Sequence, residues 1–188
     1  MSQKLVRFIT MKEGNILIAK EKDKKFKLAY ALALGSGLRL SEVIGYKGIS
    51  RRKDKKTNEI IEKPVEIKPL TKEQIDLKSH SIRIFGKGGK ERITVTSPML
   101  NESNINLLPL KINRRTLQRR IIKLGKKVLG REITFHTLRH GFANFMANEK
   151  NVPLPMVQQM LGHSRLDTTG IYTKSNPKQA IQIAWEKF

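Results

Sequence analysis

The residues best suited to chemistry lie between positions 136 and 172. His136, Arg139 and His140 stand in the run HTLRH, His163 follows in LGHS, and Tyr172 lies in TTGIYTK. Three of the four histidines fall in this window. An arginine guanidinium donates two parallel hydrogen bonds to the non-bridging oxygens of a phosphodiester and does not lose its charge. Two such groups stabilise the extra negative charge of a pentavalent transition state. A tyrosine hydroxyl can attack phosphorus, but its pKa of about 10 means that a base must take its proton. Histidine is suited to that transfer, and a mobile lysine can protonate the leaving oxygen. Two arginines, a lysine, two histidines and a tyrosine form a complete set for phosphodiester transesterification. No metal or cofactor is expected.

Composition points to the same substrate. Lys and Arg number 38 against 16 Asp and Glu, a formal net charge of +22. Self-repulsion at that charge opposes compaction, and the usual reason for it is a polyanionic partner, most often nucleic acid. The chain has no cysteine, which excludes disulfides and thiolate metal sites. No apolar run approaches a membrane span, and the N-terminus does not read as a signal peptide. A cytoplasmic protein without membrane partners is expected.

The elements that must position these residues are mostly helical. Residues 8–34 read as two helices, with Thr10 and Glu13 forming a capping box on the first. The second ends at Gly35, and a short new helix starts near Leu38. Residues 47–72 read as a polar connector. Its run RRKDKK has five basic residues in six and reads as a solvated loop or, alternatively, a DNA-backbone contact. In 79–96, Ile82 and Ile84 alternate before the turn GKGGK, and Ile93 with Val95 after it, which is a β-hairpin with Lys87 at or near its tip. Residues 113–129 form a helix whose buried stripe is Leu117, Ile121, Leu124 and Val128. Its other faces carry basic residues and no acid, so like charges repel unless an anion neutralises them. Arg114, Arg115, Arg119, Arg120, Lys123 and Lys127 are therefore candidate DNA contacts, and Lys90 and Arg92 on the hairpin join them. A helix over 134–149 buries Phe135, Leu138, Phe142, Phe145 and Met146 and presents His136 and Arg139 from its other side. Another spans 155–161, with Pro155 at its start and Gly162 beyond its end. Ser164 and Asp167 suggest a cap for a helix carrying Tyr172. The fold class expected is mainly α with a small antiparallel β-hairpin or sheet.

The ordered motifs resemble the catalytic domain of the tyrosine recombinases, the group of phage integrases and Xer-type recombinases. GLRLSE supplies Arg39, GKGGKER supplies Lys87, HTLRH supplies His136 and Arg139, LGHS supplies His163, and TTGIYTK supplies Tyr172. Any one of these motifs is weak; all six positions in order, across nearly the whole chain, are specific. The resemblance implies that Arg39 and Arg139 bind the scissile phosphate and that His163 hydrogen-bonds it. It implies Lys87 as general acid for the 5′ leaving group, His136 as the base for Tyr172, and Tyr172 as the nucleophile that holds a 3′-phosphotyrosyl intermediate. Glu42 would orient Arg39, and His140 would be structural.

The resemblance also carries departures. Family members usually add an N-terminal helical domain that closes a clamp on DNA, whereas here the catalytic motifs begin almost at once. Residues 1–188 are expected to form a single catalytic domain without that core-binding domain, from either a fragment or a minimal recombinase. The connector at 47–72 is longer than usual. The C-terminal tail, 177–188, could pack on a neighbouring protomer and drive self-association on DNA, or fold back on its own core. The function expected is a site-specific recombinase or integrase acting on double-stranded DNA. The alternative is a truncated or accessory DNA-binding protein that keeps the fold and regulates without full recombination.

Overall fold

The computed structural model describes residues 9–54, 57–86, 89–162, 177–186 and 188. The first helix, α1 (Met11–Lys20), starts as its capping box dictates: Glu13 N–H donates to Thr10 Oγ1 at 3.1 Å, and Thr10 N–H donates to Glu13 Oε2 at 3.0 Å. Helix α2 (Lys24–Ser36) is buried without a break from Leu28 to Ser36. A helix apolar on every side belongs inside a core, and α2 is the central rod of this one. It runs one residue past the expected Gly35 and closes on Gly37, whose φ of 66° is the left-handed cap conformation. Helix α3 (Leu40–Ile44) follows, with Arg39 at its N-cap.

The segment expected as a loop is instead a β-ribbon. Strand β1 (Tyr46–Lys53) pairs antiparallel with β2 (Ile60–Ile67) in a separate two-stranded sheet, with Tyr46 opposite Ile67 and Lys53 opposite Ile60. The pattern hid it because β2 buries only Val65, so no apolar alternation marks the strands. Cross-strand pairing of Arg51 with Glu62, at 2.6 Å, supplies part of what a buried face usually supplies.

The expected hairpin is present as β4 (Ser81–Phe85) and β5 (Glu91–Val95), with Ile82, Ile84 and Val95 buried. A two-residue strand, β3 (Ile75–Asp76), adds to its edge and is too short to leave a periodic signal. After the short α4 (Glu102–Ile105) comes α5 (Arg114–Leu129), capped by Asn113 and closed by Gly130. Leu117 and Ile121 of its stripe are fully buried, while Leu124 and Val128 are half-buried. Helix α6 (Phe135–Asn144) passes into one π-helical turn, Phe145–Glu149, and α7 (Leu154–Leu161) ends at Gly162, with φ 64°.

Helix α8 (Pro177–Glu186) of the tail packs on the core of this chain. Ile181 and Ala184 are buried, the Trp185 ring stacks on His80 with centroids 3.5 Å apart, and Phe188 lies 5.7 Å from Phe145. Phe142, Met146, Val157 and Leu161 complete this second apolar cluster, beside the larger one around α2. Among the described residues no helix is long and apolar enough to cross a membrane.

Candidate active site

Three of the six expected catalytic residues are described: Arg39, His136 and Arg139. Lys87, His163 and Tyr172 lie outside the described residues, as does the cap expected from Ser164 and Asp167.

The two arginines come from different helices and converge on one turn of backbone. Arg139, on α6, donates from Nη1 to the Gly37 carbonyl at 2.5 Å and from Nη2 to the Leu161 carbonyl at 2.6 Å. Arg39, at the start of α3, donates from Nη2 to the Gly162 carbonyl at 3.2 Å. A third arginine, Arg92 on β5, donates from Nε to the Met160 carbonyl at 2.8 Å. Three consecutive carbonyls at the end of α7 thus accept from three guanidinium groups. The last carbonyls of a helix lack partners within it and carry its negative dipole end, so cations are the natural cap. Gly37 and Gly162 make this possible, because each turns in the left-handed region and aims its carbonyl at an arginine. A Cβ on Gly162 would stand 2.7 Å from Arg92 Cδ.

Glu42 is the other anchor. It is buried, and its carboxylate accepts hydrogen bonds on both oxygens. Oε1 takes Arg39 Nη1 at 2.9 Å and Arg92 Nη1 at 2.7 Å; Oε2 takes the Arg39 backbone N–H at 2.7 Å and Arg92 Nη2 at 2.8 Å. Burial pushes its pKa up, but the Arg92 and Arg39 contacts outweigh that and hold it below the ordinary carboxylate value. The expectation that Glu42 orients Arg39 matches this geometry.

Arg92 departs from its expected place among the DNA contacts. Its side chain is 8% exposed and closed by Glu42 and Met160, so it positions the site from beneath. The run KER did not reveal this, because the partner carboxylate lies fifty residues away. Arg139 departs as well: it is buried, not presented from an open helix face. Burial and the Arg39 charge push its pKa down to about 9, which still leaves it charged at neutral pH. Two cations held this close favour an anion between them. Arg39, with its side chain 41% exposed, is the member open to solvent.

His136 is exposed one turn before His140, and their Nε2 atoms lie 2.7 Å apart. Partial desolvation of the ring, then the neighbouring His140, Arg139 and Arg39, lower the His136 pKa. A histidine kept neutral near pH 7 is competent as a base. His140, expected to be structural, touches the expected base directly.

On α5, Arg114, Arg115, Arg119, Lys123 and Lys127 are exposed, as is Lys90 on the hairpin side. Arg120 is engaged differently. It donates to Glu21 at 2.6 and 2.9 Å and lies over the Phe26 ring at 4.4 Å, tying α5 to the end of α1.

In sequence the chain is similar to tyrosine recombinases, and in fold to an integrase and a recombinase. The Phage integrase family model matches residues 105–179. The tyrosine recombinase XerC of Thermodesulfovibrio yellowstonii is 29% identical over 95% of this chain and 61% of that protein. The XerD of Staphylococcus epidermidis strain RP62A is 35% identical over 61% of this chain and 46% of its own length. The chain therefore spans about half to three-fifths of these curated relatives. In fold it is similar to an integrase from mycobacterium phage Brujita (TM-score 0.61, 18% identity, 98% of this chain and 58% of that one). It is also similar to the XerA recombinase (TM-score 0.58, 21% identity, 99% and 66%).

Proposed function

We propose that this chain is the catalytic part of a site-specific DNA recombinase or integrase that cleaves and rejoins duplex DNA strands through a 3′-phosphotyrosyl intermediate. The observation that carries the reading is the convergence of Arg39 and Arg139 on the Leu161–Gly162 turn, one residue before His163. Their remaining N–H donors clamp the scissile phosphate, and His163 adds a further bond to it. Tyr172 Oη attacks phosphorus while His136 takes its proton. The bond from phosphorus to the 5′ oxygen breaks, and Lys87 protonates that leaving group. Rejoining runs the same steps in reverse, with the energy of the phosphodiester kept in the tyrosyl ester. Exposed cations on α5 hold the flanking backbone; Arg114 and Arg115 stand in the first turn of that helix, where the dipole adds to their attraction for phosphate.

The test is a covalent trap. The protein incubated with a nicked suicide duplex should form a protein–DNA adduct in the presence of EDTA. Tyr172→Phe should form none while still binding the duplex. An adduct persisting in that variant places the nucleophile elsewhere.

A further inference from the structure

We propose that the β1–β2 ribbon is a DNA-binding arm that lies in the major groove beside the cleavage position, an inference that rests on the recombinase reading above. The ribbon leaves the fold directly after α3, whose N-cap is Arg39, so its base stands within one short helix of the expected phosphate site. That base is fastened to the basic helix. The Arg114 guanidinium lies over the Tyr46 ring at 5.5 Å, and a cleft of about 300 Å³ lined by Ser41, Tyr46, Ser50, Val65, Ile67 and Arg114 opens between them.

Beyond the base nothing among the described residues covers the ribbon. Ile49 is 57% exposed, Ile60 67% and Ile61 39%. A two-stranded hairpin with no layer on either face is marginal in water, so a partner that covers it would stabilise it. Strand β1 carries Lys47, Arg51, Arg52 and Lys53 and no acid. The register puts Lys47, Ile49, Arg51 and Lys53 on one face, opposite Glu66, Pro64, Glu62 and Ile60. On this face Arg51 is held by Glu62 at 2.6 Å, while Lys47 and Lys53 are offered to phosphates and Ile49 and Ile60 to thymine methyl groups. The major groove admits a two-stranded ribbon, and eight residues at about 3.3 Å each reach about 25 Å along it. A second copy of the chain fits less well, because pairing along the β1 edge would set the cations of both strands side by side.

The trimmed variant replaces residues 51–62 by an Asn-Gly turn joining Ser50 to Lys63. It keeps Tyr46, Val65 and Ile67 and removes no buried residue among those described. A second variant combines Lys47→Glu with Lys53→Glu. Binding to the suicide duplex is measured across salt, with dimethyl sulfate protection of guanine N7 and adduct formation at saturating protein. Both variants should bind about tenfold more weakly near physiological salt, with a slope reduced by about 0.9 for each phosphate no longer neutralised. The trimmed variant should lose guanine protection on one side of the cleavage position and keep the rate of adduct formation. Unchanged affinity, slope and protection, with the adduct still forming, would overturn the arm. So would loss of a stable dimer on trimming with DNA affinity intact, which would make the ribbon a protein-binding surface. If the unaltered chain neither binds the duplex nor forms the adduct, the recombinase reading fails and the arm with it.

Discussion

Arg92 and Glu42 form a closed bidentate pair, Nη1 to Oε1 at 2.7 Å and Nη2 to Oε2 at 2.8 Å, beneath the solvent-open Arg39. The same carboxylate holds Arg39 through its side chain and its backbone N–H. Glu42→Gln would leave a buried guanidinium without its counter-charge, and breaking such a pair costs about 3–5 kcal/mol. Urea unfolding at pH 7 should show a loss of that order, together with weaker cleavage. The pH dependence has a definite sign. Glu42 titrates lower in the folded chain than its unfolded value of about 4.3. The wild-type advantage over Glu42→Gln should be fully present above that pH and vanish as pH falls through the lower folded value. A constant difference down to strong acid would mean that the pair is not ionised as described.

Arg39 and Arg139 should separate in stability and not in chemistry. In the proposed mechanism each supplies donors to the transition state, so alanine at either position should cut adduct formation by about 10²–10³-fold. Arg139 also joins the Gly37 turn to the end of α7, and its loss leaves two buried carbonyls short of a partner, worth about 1–3 kcal/mol each. Thermal unfolding should therefore fall further for Arg139→Ala than for Arg39→Ala.

After the partial burial of the His136 ring, His140 should be the next contributor to its lowered titration. Replacing it with Asn removes a neighbouring charge that lowers the His136 pKa, so that value should rise. The ring protons of His136 followed by NMR report it directly. A raised pKa protonates the proposed base at mildly acidic pH, so adduct formation by His140→Asn should drop more at pH 6 than at pH 8. An unmoved titration curve would show that the pair is not coupled.

The cations of α5 should fall into two groups. Removing Arg115, Arg119 and Lys123 together should weaken binding to every duplex and reduce the salt slope by about 0.9 per phosphate left without its cation, with stability little changed. Arg120→Ala should instead destabilise the fold by about 1–3 kcal/mol, because buried Glu21 loses its partner. Equal effects of both changes on the salt slope would put Arg120 on DNA as well.

The sequence by itself determined what depends on local order. The capping box at Thr10, the central helix ending near Gly35, the Ile82–Val95 hairpin and the α5 stripe all follow from periodicity and turn chemistry over a few residues. The ordered motifs likewise picked out Arg39, His136 and Arg139 as candidates, because GLRLSE and HTLRH match the motifs of a known family. The ribbon was not legible in this way, since strands exposed on both faces leave no period to read, nor was β3, at two residues. Tertiary structure alone decided which cations serve the fold. Arg92 and Arg120 look like their neighbours in sequence, yet each meets a buried glutamate brought from far along the chain. It also decided that three arginines share the carbonyls of one helix end. A hydrogen-bond partner fifty or more residues away has no periodic trace; it exists only once the helices have packed and the desolvated carboxylates and carbonyls must each find a donor.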